Sequence, residues 1–137
     1  MAMGADAFVQ FGDNEVGEVI EAFGGAPDLV YECVGAEGML NKAVMHAGLL
    51  GNVTSLGFCT SPDALIPGVA SFKLMTMKFI VGYTMKEFYY IADQMDKGHV
   101  DPKTIISNDI PLADLPTMLE HLRGPNNETK VHVNMPG

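Results

Sequence analysis

Three short apolar runs each end on a glycine, and these glycines are the residues best placed for ligand chemistry. The runs are LVYECVG (29–35), NVTSLG (52–57) and KFIVG (78–82). Ligands of open α/β sheets bind just outside the carboxyl ends of parallel strands. Because glycine has no Cβ, the backbone there can turn sharply and approach a flat ligand closely. The pattern therefore predicts a row of exposed peptide groups at one sheet edge, which is half of a nucleotide site.

The thiol and imidazole side chains add few candidates for catalysis. Cys33 lies inside one apolar run and Cys59 follows another, which is typical of reduced thiols in a cytosolic protein and makes a disulfide the less favoured alternative. We expect Cys33 to be buried as a small hydrophobe, without a neighbouring His or Lys to activate it as a nucleophile. The four histidines share no ligand-like spacing and are interpreted as solvated or partly packed: His46, His99, His121 and His132.

Amphipathic helices are predicted around these runs. Four segments place apolar residues at i, i+3, i+4 and i+7, which indicates helices that pack one face inward. The segments are Val16/Val19/Ile20/Phe23, Leu40/Ala43/Val44/Ala47, Phe88/Ile91/Ala92/Met95 and Leu115/Met118/Leu119/Leu122. Thr84 and Glu87 have the spacing of a capping box at the start of the third helix, and Gly98 is its stop signal.

The order of the predicted elements indicates the fold class. Strands are predicted at residues 7–11, 29–34, 52–56 and 77–81, with helices between them and a long loop before the last. This alternation favours an α/β fold with a parallel sheet covered by helices. After Gly98 the pattern changes, and two further strands are predicted at residues 104–110 and 130–134.

Composition and charge exclude several function classes. The chain has 137 residues, of which 47% are hydrophobic and 18% charged, enough for a packed core. Its net charge of −9 argues against nucleic acid or an anionic membrane as a partner. The longest nearly uncharged stretch (63–77) contains Pro67, Gly68 and Lys73, so no segment is expected to span a membrane. Without a signal-peptide pattern after Met1, a cytoplasmic protein is expected.

In chain order, five pieces of this sequence resemble the carboxyl-terminal part of a medium-chain dehydrogenase/reductase, of the zinc-dependent alcohol and polyol dehydrogenase type. The pieces are MGADA (3–7), GGAPDLVYECVG (24–35), GNVTSLG (51–57), KFIVG (78–82), and GHVDP (98–102) with PL (111–112). The resemblance implies a partial Rossmann fold, a doubly wound parallel sheet that lacks its first two strands. Residues 1–98 would belong to the NAD(P)-binding domain, and residues 99–137 would be a tail that returns to a catalytic domain.

The resemblance also implies where the cofactor lies. Backbone groups of Leu56, Gly57 and Phe58 and of Ile80, Val81 and Gly82 would hydrogen-bond the nicotinamide carboxamide; the alternative is ordinary strand ends with turn glycines. The remaining implied contacts are Cys33 and Val34 beside the nicotinamide ribose and Lys130 at the pyrophosphate, for which a solvated surface lysine is an equal alternative.

Other parts of the family pattern are missing from the chain. It has no G-x-G-x-x-G turn, no cluster of four cysteines and no Cys–His pair at zinc-ligand spacing. The resemblance therefore implies a longer parent enzyme that uses NAD or NADP and zinc on an alcohol or ketone, with the zinc ligands elsewhere. The chain alone is expected to be inactive. A zinc-free parent of the quinone-reductase type and a stand-alone α/β interaction module are the alternatives.

Exposed strand edges suggest self-association. Without the first two strands of the family sheet, residues 7–11 lack a neighbour and the strand at 29–34 has an open edge. We expect either relocation of residues 7–11 beside residues 29–34 or association with another copy. In dimeric members of the family the strand matching residues 77–81 pairs with its twin, so Met77, Phe79 and Val81 are a second candidate edge for a homo-oligomer. A plain core strand is the alternative, and the two interpretations are compatible.

Overall fold

The computed structural model of the chain describes residues 4–136, which form two compact units. One unit runs from Ala5 to Gly82, and the other consists mainly of the residues from Tyr83 onward. Of the family-like piece at residues 3–7, Met3 lies outside the described residues. The expected domain boundary after residue 98 falls inside the second unit and stays a prediction. In the described part of the chain, no helix has the length and apolarity needed to cross a membrane.

The first unit is a small α/β structure, which confirms the predicted fold class. Its elements in chain order are α1 (Glu15–Phe23), β1 (Leu29–Glu32), α2 (Met39–His46), β2 (Asn52–Ser55), α3 (Pro67–Phe72) and β3 (Thr76–Phe79). The three strands form one parallel sheet in the order β1-β2-β3. Since strand side chains alternate between faces, Val30, Val53 and Met77 stand in one row across the sheet.

The core of this unit lies between α2 and one face of the sheet. Ala43 of α2 and Ala47, the residue that caps its carboxyl end, are buried against Val53 of β2, and Val30, Met75 and Met77 pack around them partly buried. The apolar face of α2 was predicted from its periodicity. Small alanines on that face allow the helix to approach the central strand closely, so the core fixes α2 relative to β2.

Lys73 fixes the carboxyl end of α2. Its ammonium group donates to the carbonyl oxygens of Val44, Met45 and Ala47, at 2.8, 2.9 and 2.7 Å. The last carbonyls of a helix have no partner within the helix and carry partial negative charge, so a cation stabilises them. Partial burial lowers the pKa of Lys73. The ion-dipole contact therefore connects α2 to the segment between α3 and β3.

Two predictions for this unit are wrong. Residues 7–11 form no strand and do not pair with β1, so of the two expected alternatives relocation does not occur, and association with another copy stays a prediction. Phe8 and Phe11 are 74% and 69% exposed, and the Phe11 ring instead packs under the ammonium of Lys42. An alternating apolar pattern makes a strand only where a neighbour satisfies its backbone groups. The stretch predicted as a long loop contains α3, which begins with Pro67 and is too short to show helical periodicity.

The second unit contains α4 (Met85–Asp96), a 3₁₀ turn at Pro102–Ile105, β4 (Asn108–Pro111), a 3₁₀ turn at Leu112–Asp114, α5 (Leu115–Arg123) and β5 (Val131–Asn134). β4 and β5 form a parallel pair, with Ile110 buried. The predicted capping box of α4 is present, since the Thr84 side chain accepts a hydrogen bond from the Glu87 amide and the Glu87 side chain accepts one from the Thr84 amide. The strand predicted at 104–110 begins only at Asn108, because the Asp101 side chain accepts from the Lys103 amide and starts a 3₁₀ turn.

Candidate functional site

The side chain of Glu32 closes the carboxyl end of β1. Its Oε1 accepts hydrogen bonds from the backbone amides of Val34 and Gly35, at 2.6 and 2.7 Å. Its Oε2 accepts from the hydroxyl of Ser55 at the end of β2, at 3.1 Å. The backbone after Glu32 therefore folds back on the carboxylate. This explains why β1 ends at Glu32 and not at Val34, as the apolar run predicts.

The backbone of Glu32 also holds the end of β2. Its carbonyl oxygen accepts from the amides of Leu56 and Gly57, at 2.8 and 2.9 Å. The amide of Ile80, after β3, donates to the carbonyl of Ser55 at 3.0 Å. These bonds align the three strand ends. Because the amides of Leu56, Gly57 and Ile80 already donate to carbonyl oxygens of the chain, a ligand at this edge must be bound mainly by other groups.

Glu32 is a buried anion. The residue is 7% exposed, and the hydrogen bond from Gly35, with those from Val34 and Ser55, lowers its pKa against the effects of burial and of the Asp63 charge. Glu32 is not among the site residues predicted from the sequence. One signal in the sequence could have identified it: Glu32 is a single acidic residue inside an otherwise apolar strand. Burying an unpaired charge is costly, so a carboxylate at such a position needs hydrogen-bond donors around it.

Gly35 and Gly57 lie in contact with each other. Gly35 has φ +67°, and a Cβ placed on it would lie 2.5 Å from the amide nitrogen of Phe58. A Cβ on Gly57 would lie 2.2 Å from the amide nitrogen of Gly35. Only glycine fits at both positions. The glycines at these two strand ends therefore serve first to pack one backbone against another, a role that differs from the predicted one of admitting a flat ligand.

A cleft of about 250 Å³ lies at the ends of β2 and β3. It brings together four of the predicted site residues, Gly57, Phe58, Ile80 and Val81. The full lining is Ser55, Gly57, Phe58, Cys59, Phe79, Ile80 and Val81. Its lining is mainly apolar, which suits a flat ring.

Cys33 and Val34 do not line this cleft. They border a separate groove of about 160 Å³ beside α2, with Phe11, Met39 and Lys42 among its other residues. The prediction that Cys33 is buried is wrong, since its side chain is exposed and Val34 is 70% exposed. Both residues lie beyond the last paired residue of β1, which is an edge strand of the described sheet. Cys33 and Cys59 are free thiols.

The remaining predicted site residues, Leu56, Gly82 and Lys130, lie outside the cleft lining. Gly82 ends the first unit with φ +70°, and a Cβ on it would meet nothing within 4 Å, so its glycine serves the turn alone. Lys130 belongs to the second unit, where its carbonyl accepts from the Ser107 amide at 2.9 Å. Its side chain is exposed. A contact of Lys130 with a pyrophosphate stays a prediction.

The described residues fit a nicotinamide ring but not a zinc ion. Within residues 4–136, no three side chains of His, Cys, Asp or Glu are grouped so that they could hold a metal. His46 is partly buried, and burial is the main cause that lowers its pKa. The cleft offers an apolar wall at Phe58 and the polar backbone of a strand end, which are what a planar carboxamide-bearing ring requires.

Proteins of known structure share this fold. No known sequence family and no curated protein matches the chain by sequence. Three similar structures are 2R,3R-butanediol dehydrogenase from Bacillus subtilis (24% identity, TM-score 0.78, 92% of this chain), a short chain alcohol dehydrogenase from E. coli CFT073 complexed with NADH (18%, 0.79, 96%) and alcohol dehydrogenase TADH from Thermus sp. ATN1 (23%, 0.78, 87%). This chain spans 36%, 39% and 35% of their respective lengths. The likeness establishes a partial Rossmann fold.

Proposed function

We propose that this chain is the carboxyl-terminal part of the NAD(P)-binding domain of a zinc-dependent alcohol or polyol dehydrogenase of the medium-chain type. The cleft at the ends of β2 and β3, where Gly57, Phe58 and Ile80 meet, carries the proposal. The order of the family-like sequence pieces and the shared fold with three dehydrogenases support it. The longer parent enzyme would oxidise an alcohol or reduce a ketone.

The cleft residues would orient the nicotinamide ring, whose C4 carbon accepts or gives the hydride when the cofactor is bound. Phe58 and Ile80 supply apolar walls that exclude water from one ring face. The strand-end carbonyl groups accept hydrogen bonds from the carboxamide, because the amides of Leu56, Gly57 and Ile80 already donate within the chain. Fixing the carboxamide decides which ring face meets the substrate.

The other predicted contacts complete the proposal. Cys33 and Val34 would lie beside the nicotinamide ribose, and Lys130 would approach the pyrophosphate of NAD or NADP. Residues 1–98 would belong to the cofactor domain, and residues 99–137 would return to a catalytic domain that holds the zinc ligands. The chain alone would then bind the nicotinamide end weakly and would not catalyse hydride transfer.

We also propose a cytoplasmic homo-oligomer. Two free thiols suit a reducing compartment. β1 and β3 are both edge strands of the described sheet, so either edge can pair with another copy. The net charge of −9 favours neither nucleic acid nor an anionic membrane as a partner.

Saturation-transfer NMR with NADH tests the proposal. Protons of the chain are irradiated, and the transfer to the nicotinamide and adenine protons of one ligand is compared. We expect the nicotinamide protons to receive more saturation than the adenine protons, because none of the proposed contacts is to the adenine. In a parallel assay, no alcohol-dependent reduction of NAD should occur.

Three results would contradict this. Greater saturation of the adenine ring would place the binding site elsewhere. No transfer to NADH at millimolar concentration would favour the stand-alone interaction module. Alcohol-dependent NADH formation by the purified chain would refute its expected inactivity.

A further inference from the structure

The Glu32 carboxylate is a buried negative charge whose hydrogen-bond donors are all uncharged. They are the amides of Val34 and Gly35 and the hydroxyl of Ser55. Within residues 4–136, none of the ion pairs includes Glu32. Neutral donors stabilise the anion but do not cancel its charge, so its field extends into the surrounding protein.

This charge lies directly behind the wall of the cleft. Glu32 Oε2 is 2.7 Å from the position that a Cβ on Gly57 would take. Gly57 and Ser55 line the cleft, and they also line a small cavity of about 150 Å³ that Glu32 borders. The backbone near Gly57 therefore lies between the carboxylate and the cleft. A ring seated against that backbone lies within the screening length of roughly 8–10 Å.

Resting on the proposed function, we infer that Glu32 is a specificity-determining residue that makes the cleft favour the oxidised, cationic nicotinamide ring over the reduced, neutral ring. The two forms of the ring have nearly the same shape and the same carboxamide. They differ by one positive charge, which a fixed anion attracts in one form only. A fixed charge near a partly buried site thus changes the ratio of the two affinities.

Glu32→Gln removes this charge and keeps the hydrogen bonds. The glutamine oxygen can accept from the amides of Val34 and Gly35, and its NH₂ group can donate to the Ser55 oxygen. The Ser55 hydroxyl already lies 3.3 Å from the Gly57 carbonyl oxygen, to which it can donate instead. Glu37→Gln is the matched control, because Glu37 is an exposed carboxylate five residues further along the chain.

Oxidised and reduced nicotinamide mononucleotide are the probes. Both carry the same ribose and phosphate, so the ratio of their dissociation constants reports the ring charge. Titrations followed by ¹⁵N–¹H NMR on the full chain give both constants. We expect the wild-type chain to bind the oxidised form more tightly. In Glu32→Gln the preference should fall roughly three- to thirty-fold, and in Glu37→Gln it should change by less than about two-fold.

The outcomes separate this inference from the proposed function. If neither form binds the wild-type chain, the proposed function fails and the inference fails with it. If both forms bind the wild-type chain equally, or if Glu32→Gln leaves the ratio unchanged, the inference alone is overturned. The wild-type measurement needs no substitution, so the inference is tested even if Glu32→Gln does not fold.

Discussion

Gly35 and Gly57 pack backbone against backbone at the ends of β1 and β2, so closely that a Cβ on Gly57 would lie 2.2 Å from the amide nitrogen of Gly35. The contact places the Gly35 turn against the strand end that forms part of the cleft. Glu32 reinforces this contact, because its carboxylate accepts a hydrogen bond from the Gly35 amide and its backbone carbonyl accepts one from the Gly57 amide. The wall of the proposed nicotinamide cleft is therefore built by contacts within the chain.

Gly57→Ala should destabilise the first unit. The added methyl group would overlap the Gly35 backbone and Glu32 Oε2, so one strand end must move. We expect a loss of roughly 1–3 kcal/mol in the free energy of unfolding, measured by urea denaturation. The control is Gly68→Ala, since a Cβ there meets nothing within 4 Å. Equal stabilities of the two variants would show that the close contact does not exist in solution.

Lys73→Met should also destabilise this unit. It removes the ammonium from which the carbonyls of Val44, Met45 and Ala47, at the end of α2, accept hydrogen bonds. The expected loss is about 1.5–3 kcal/mol by the same measurement. Lys86→Met on the exposed face of α4 should change stability by less than about 0.5 kcal/mol. A Lys73 variant as stable as the Lys86 variant would refute the proposed cap.

The free energy of unfolding should fall in acid, because protonation of Glu32 removes its stabilising contribution. Its folded pKa lies below the ordinary value of 4.5, so the carboxylate stabilises the fold above that pH and the contribution is lost as pH falls. We expect the free energy of unfolding to decline from about pH 5 to pH 3. The decline should be shallower in Glu32→Gln and unchanged in Glu37→Gln. Parallel curves for wild type and Glu32→Gln would contradict the charged, hydrogen-bonded state.

Self-association should depend on one sheet edge. Phe79 of β3 is 68% exposed and Tyr31 of β1 is 58% exposed. A lysine on an edge strand opposes pairing with another copy. We expect sedimentation analysis to show concentration-dependent association of the wild-type chain. One of the two variants, Phe79→Lys or Tyr31→Lys, should abolish this association and so identify the edge that pairs. A wild-type chain that stays monomeric at millimolar concentration would contradict the proposed homo-oligomer.

Much of the fold could be predicted from local patterns. The helices at residues 15–23, 39–46, 85–96 and 115–123 follow the spacing of their apolar residues, and the parallel strands follow the runs that end on glycine. Residues 7–11 carry the same apolar signal but form no strand. Strand formation depends on a partner elsewhere in the chain, and the local pattern of residues 7–11 does not show whether one exists.

The site could be predicted only in part. The cleft residues Gly57, Phe58 and Ile80 follow from the strand ends, whose position in a parallel sheet is set by topology. Glu32 could not be assigned, because its role depends on bonds to Ser55 across the sheet and to the turn at Gly35. Exposure of Cys33 depends on which strand lies at the sheet edge, and the apolar run around it does not reveal this.

The most direct test of the proposed nicotinamide cleft is an NMR titration of the ¹⁵N-labelled chain with nicotinamide mononucleotide and, separately, with adenosine monophosphate. The two ligands share a ribose phosphate and differ in the ring. We predict that nicotinamide mononucleotide shifts the amide signals of Gly57, Phe58 and Ile80, while adenosine monophosphate leaves them in place. Equal shifts with both ligands, or none at these three residues, would contradict the account.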